Sequence, residues 1–296
     1  MAFKNINPTN LGYISVVLAA IMFGSVSTVA KPALSSVHPI LLASFVYLLA
    51  ALVVTPLVRE KKIPYSVKDK AMLLAIALSG VVIGPTMFFS GLKESTASDS
   101  ALLLNGETIF SVFLALLLFR ERLPKVGYIA IGLMIVGIVI VTTDMEFSIS
   151  VFDIQNIGNV LIIGSTVFWA LDNNLSKILS TKLDAARIVQ LKSIIGGSIL
   201  LLAVFSFEIP IDVQVDHISN ILILGAAGFG GSIFLFIHGL KRIGTVKTVV
   251  IFSTSSVFGL IFAFLFLQEE ISYYQITAMG MILLGFYLLY KQKRLS

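Results

Sequence analysis

The stretch Ser98–Phe119 reads SDSALLLNGETIFSVFLALLLF, a run of 22 residues broken by only two charges, Asp99 near its start and Glu107 near its middle. About 20 predominantly apolar residues is the length a helix needs to cross a bilayer. The pattern is neither the one-sided stripe of a surface helix nor the two-residue alternation of a barrel strand. Nine further runs of the same kind flank it: Leu11–Ala30, Ile40–Val58, Ala71–Leu92, Val126–Thr142, Gly158–Leu179, Ile188–Phe207, Ile218–Leu240, Thr245–Leu267 and Tyr273–Tyr290. Composition points the same way. The 296 residues are 57% hydrophobic and 12% charged, against about 25% charged in soluble domains, and mean hydropathy is +0.99. A soluble core could not hide this much apolar surface, and a disordered chain would be poor in Ile, Leu, Val and Phe. The expectation is an all-α membrane protein of ten transmembrane helices, with connections too short for a soluble or nucleotide-binding domain.

The charges orient it. With a cytoplasmic N-terminus, eighteen of the 21 Lys and Arg fall in the two tails and the connections 2–3, 4–5, 6–7 and 8–9. Only Lys31 and Lys93 fall on the other side, and Lys192 lies within a span. This is the positive-inside pattern, and it places both termini in the cytoplasm of a multi-pass plasma-membrane protein. The net charge of +5 is then a consequence of topology, and no nucleic-acid partner is expected. The expected partners are the lipid bilayer and a small-molecule solute, with the chain a monomer or homodimer. There is no Cys, and His38, His217 and His238 are far apart in sequence. Neither a metal site nor a cofactor is expected.

Shifting the chain by 148 residues lays Gly80 on Gly228, Gly91-Leu92-Lys93 on Gly239-Leu240-Lys241, Phe110 on Phe258, Glu121 on Glu269, and Gly132 and Gly137 on Gly280 and Gly285. A shift of 146 lays Asn10-Leu11-Gly12 on Asn156-Ile157-Gly158, Phe23 on Trp169 and Lys31 on Lys177. The reading is two five-helix repeats, 1–145 and 146–296. Five is odd, so the second repeat lies upside down relative to the first. Inverted repeats are a common plan of secondary transporters, because exchanging the conformations of the halves turns an inward-open state into an outward-open one.

The residues that carry this symmetry also carry a resemblance. Phe23-Gly24 followed by Lys31, the run closing in Phe119-Arg120-Glu121-Arg122-Leu123, then Gly132 and Gly137, with the second-half echo Leu267-Gln268-Glu269, Gly280 and Gly285, resemble the EamA type of the drug/metabolite transporter superfamily. That family usually has Arg-Phe after the span-2 proline; here Val46-Tyr47 follows Pro39, and the repeat position of Val46 is Lys192. The resemblance implies a carrier of small organic metabolites, often outward.

Charges at membrane depth cost at least ~2.5 kcal/mol each and need a partner, water or a neutral form. Three residues qualify. Glu107 sits in Leu104-Asn105-Gly106-Glu107-Thr108, and the matching stretch of span 9 is Ser253-Thr254-Ser255-Ser256. The two polar patches, with Asn105 and Ser255, would line one midplane cavity. Burial disfavours the charged form of a carboxylate, which suits Glu107 to proton coupling or to holding a solute amine. Asp172-Asn173 interrupts span 6, and Ser165, Trp169, Asp172 and Ser176 share one helix face, a candidate wall with Trp169 as a flat surface for an apolar or cationic group. Lys192 either snorkels to the cytoplasmic surface, pairs with Asp172, or meets an anionic group of the solute. Gly127, Gly132 and Gly137 are expected to form a packing seam.

The expected function is secondary-active transport of small organic metabolites by alternating access, with proton coupling at Glu107 and amino acids or related amines as solutes. A zwitterion would put its amine on Glu107 and its carboxylate on Lys192. The alternative is a membrane-embedded enzyme acting on lipid-linked substrates, which needs convergent acid, base or metal groups.

Overall fold

In a computed structural model, residues 7–59, 66–119, 125–143 and 157–292 are described. Among them every regular element is helical. In chain order they are α1 (Pro8–Gly24), α2 (Val26–Ala33), α3 (Pro39–Val54), α4 (Val67–Ala77), a π-helical stretch (Leu78–Ile83) running into α5 (Gly84–Glu94), α6 (Ala97–Leu103), α7 (Gly106–Phe119) and α8 (Lys125–Thr143). Then come α9 (Ile157–Leu179), α10 (Ala185–Ser206), α11 (Val215–Ile223), a second π-helical stretch (Leu224–Gly231) running into α12 (Ser232–Ile243), α13 (Thr245–Phe252), α14 (Ser255–Phe262) with a π-helical end (Ala263–Leu267), and α15 (Tyr273–Gln292).

Among the described residues, seven helical rods are long and apolar enough to cross a membrane: Thr9–Ala33, Pro39–Leu57, Val67–Glu94, Lys125–Thr143, Ala185–Ser206, Val215–Ile243 and Lys247–Leu267. The other three expected spans are also helical. The fourth is split into α6 and α7. In α9, Asn159, Asp172, Asn173, Asn174 and Lys177 lower the hydropathy of an otherwise sufficient 23-residue helix. The tenth is α15, 20 residues long. The rods expose large apolar side chains such as Leu52 (69%), Leu202 (65%) and Phe266 (72%). Outward apolar surface of that kind is suited to lipid, which is as apolar as a protein interior. The proposed boundary at 145/146, the motif Phe119-Arg120-Glu121-Arg122-Leu123 beyond Phe119, and with it the repeat partner of Glu269, lie outside the described residues.

Helix pairing follows a pattern. α8 packs on α15 and α3 on α10; α5 packs on α9 as α1 does on α12; α7 packs on α9 as α1 does on α14. Exchanging the halves of the chain maps this set of pairs onto itself. Small residues sit at matched crossings: a Cβ on Gly91 would meet the carbonyl of Gly158 at 2.5 Å, and one on Gly239 would face the carbonyl of Gly12 at 3.6 Å. On α8 only part of the expected seam forms. Gly137 lies against Ala278 and Ile282 of α15, whereas a Cβ on Gly132 would meet nothing. Gly132 follows the repeat without serving the interface.

Charged groups brace one end of the bundle. The Lys31 ammonium donates to the carbonyls of Leu92 (2.9 Å), Lys93 (3.0 Å) and Ser95 (2.6 Å), capping the C-terminal end of α5. The Glu269 carboxylate accepts from the backbone N–H groups of Ala97 (2.9 Å) and Ser98 (2.8 Å), and from the Ser98 hydroxyl, at the start of α6. Cations at helix C-termini and anions at N-termini complement the helix dipole. Gln275 of α15 adds a bond to Asp99 at 2.7 Å.

Candidate functional site

Two helix breaks prepare the site. Between α6 and α7 the Asn105 side chain donates to the Leu102 carbonyl at 2.8 Å, a local bond that competes with the backbone ladder. The backbone tightens there, with Glu107 N–H donating to Leu104 O at 3.1 Å and Thr108 N–H to Asn105 O at 3.0 Å. Between α13 and α14 the same conflict recurs. Ser253, Thr254 and Ser256 hydroxyls donate to Val250, Ile251 and Ser253 carbonyls at 2.6, 2.7 and 2.9 Å. Glu107 thus enters in the first turn of α7, and Ser255 opens α14.

Glu107 borders two small cavities. One is lined by Phe23, Tyr47, Gly80, Trp169, Asp172, Asn173, Lys192, Phe229 and Phe252 together with Glu107. The other is lined by Asn105, Thr108, Ser253 and Ser255, again with Glu107, Phe23 and Phe252. The free space is about 30 and about 10 Å³, enough for water and too little for an organic solute until side chains move. All seven residues singled out in the sequence, Glu107, Asn105, Trp169, Asp172, Asn173, Lys192 and Ser255, border one cavity or the other.

Their bonding settles what sequence left open. Lys192 is 2% exposed, and its ammonium lies 2.5 Å from an Asp172 oxygen. It therefore does not snorkel, and it is paired with Asp172. Ser176 donates to the other Asp172 oxygen at 2.9 Å, and Asn173 donates to Glu107. Trp169 and the Tyr47 hydroxyl both donate to the Gly80 carbonyl, at 3.2 and 3.0 Å. Gly80 and Gly84 make this crossing possible. A Cβ on Gly80 would strike the Asp172 carboxylate, and one on Gly84 would lie 2.8 Å from the Trp169 indole nitrogen. Ser165, on the same α9 face, turns back to its own helix at Ile162 and borders neither cavity.

Sequence reasoning missed the aromatic walls. Phe23 packs against Trp169 at 6.1 Å, Phe229 at 6.1 Å and Phe252 at 5.0 Å between ring centroids, and Tyr47 meets Phe229 at 5.0 Å. Nothing in 22 phenylalanines marks these few as inner. Phe23 and Tyr47 alone left traces, Phe23 as the repeat partner of Trp169 and Tyr47 in the departure from Arg-Phe at Val46-Tyr47.

The model of the EamA-like transporter family matches residues 10–143 and again 156–291. The chain belongs to that family. It is a multi-pass membrane transporter, and a small-molecule solute and a lipid bilayer are its context. A relative named "Uncharacterized transporter" from Methanothermobacter thermautotrophicus is 33% identical over 94% of this EamA-like chain and 86% of its own. The "Uncharacterized transporter YetK" of Bacillus subtilis is 23% identical, covering 95% and 87%. These names point to transport rather than catalysis. A crystal structure at 15% identity superposes with TM-score 0.71 over 97% of this chain and 98% of that one, a likeness of fold.

Proposed function

We propose that this transporter is a secondary carrier of the plasma membrane, with ten spans as two inverted five-helix repeats and both termini cytoplasmic. It exports small organic metabolites by alternating access, and amines related to amino acids fit its site best. The self-mapping of helix pairs and the two matches of the family model support the repeat. One observation carries the mechanism: Glu107, at a helix break on α7, borders both cavities between elements of the two halves. A carboxylate there is poised to exchange a proton for a solute amine, because either one neutralises it where an isolated charge is costly. In each cycle the halves exchange conformations around that site, and the release of one cation frees Glu107 for the other.

Counterflow of labelled amino acids and amines in liposomes tests this. A carrier shows saturable counterflow, whereas an enzyme or a channel does not. Glu107→Gln, folded as judged by its elution and thermal unfolding, is expected to lose the pH dependence of transport. Equally pH-dependent transport by the variant would sink the role of Glu107.

A further inference from the structure

Around the larger cavity each donor side chain already has a protein partner, and one acceptor does not. Lys192 is held by Asp172, Tyr47 and Trp169 donate to Gly80, and Asn173 donates to Glu107. What remains is the second Glu107 oxygen, with no side-chain partner among the described residues, and the ring surface of Phe23, Trp169, Phe229 and Phe252. The charge count agrees. Asp172 and Lys192 cancel, so an ionised Glu107 leaves the cavity one negative charge in apolar surroundings. A single positive charge answers it, and aromatic faces favour an ammonium. A carboxylate brought in with the amine would find no free cation and would lose its hydration without replacement.

We infer that the cavity selects monocationic organic amines with an apolar or aromatic body and discriminates against solutes bearing a free carboxylate. The selectivity rests on the reading of this cavity as the solute site. The Asp172–Lys192 pair is its source, because it withholds the one cation that a zwitterion would need. Gly80 is part of the same device, since the Asp172 carboxylate occupies the space that a Cβ there would fill.

Trp169 is the single tryptophan of the chain and lines the cavity, so its fluorescence reports occupancy of the full-length protein without a label and without transport. At a pH where Glu107 is ionised, 2-phenylethylamine and phenyltrimethylammonium are expected to shift the emission saturably. L-phenylalanine and 3-phenylpropionate are expected to bind more weakly by about tenfold or more. Phenylalanine binding as tightly as phenylethylamine overturns the inference, as does the absence of any response to both cations. In Asp172→Asn the freed Lys192 should reduce the handicap of phenylalanine; a folded variant that keeps the full wild-type discrimination overturns the assignment to the pair. The carrier reading fails separately. Saturable amine binding with no counterflow sinks transport and keeps the selectivity, whereas phenylalanine counterflow with tight phenylalanine binding does the reverse.

Discussion

Lys192 illustrates how a buried charge is tolerated only through its partner. Breaking a buried pair from one side strands the other charge and costs about 3–5 kcal/mol, whereas replacing both is often close to neutral. Lys192→Met should therefore lower the thermal stability of the purified protein sharply, and adding Asp172→Asn should restore most of the loss. Additive losses in the double variant would refute the pairing as an energetic unit. Both residues are conspicuous in sequence as charges inside apolar runs. Their partnership is not, because Lys192 on α10 had three destinations open to it and only the packing of α10 beside α9 selects one.

Helix crossings carry the next scale. Gly80→Ala should cost about 1–3 kcal/mol through overpacking against Asp172 and should also disturb the emission of Trp169. Gly132→Ala meets open space and should be neutral or slightly stabilising, since Ala is the better helix former. The two glycines are equally prominent in the sequence repeat, and melting curves separate them. At the braced end, Glu269→Gln keeps the shape but removes the charge from its bonds to Ala97 and Ser98. A loss of about 1–2 kcal/mol is expected. Because the chain has no cysteine, a Thr96→Cys reporter should label faster in that background, and an unchanged rate would show that the contact does not hold the α5–α6 corner closed. The sequence marked Asn105-Gly106 and Ser253-Thr254-Ser255 only as polar patches within continuous spans; the helix breaks there follow from side chains that compete locally for backbone partners.

For the whole molecule, the proposed inverted arrangement predicts sidedness. Ser36→Cys, exposed between α2 and α3, should react with an impermeant maleimide from outside intact cells, and Thr181→Cys, exposed after α9, should react only after lysis. Labelling of both from one side would refute the inversion. Helical membrane character and the charges that interrupt apolar runs were decided by sequence. Each depends on hydropathy along the chain, where a span must be apolar for its whole length and a charge within it stands out. Tertiary structure alone decided which apolar side chains face inward, that Phe23, Phe229 and Phe252 wall a cavity while Phe266 faces out, and that Lys192 answers Asp172. The reason is that lipid is as apolar as the protein interior. A membrane helix therefore carries no hydrophobic contrast between its two faces, and only packing tells them apart.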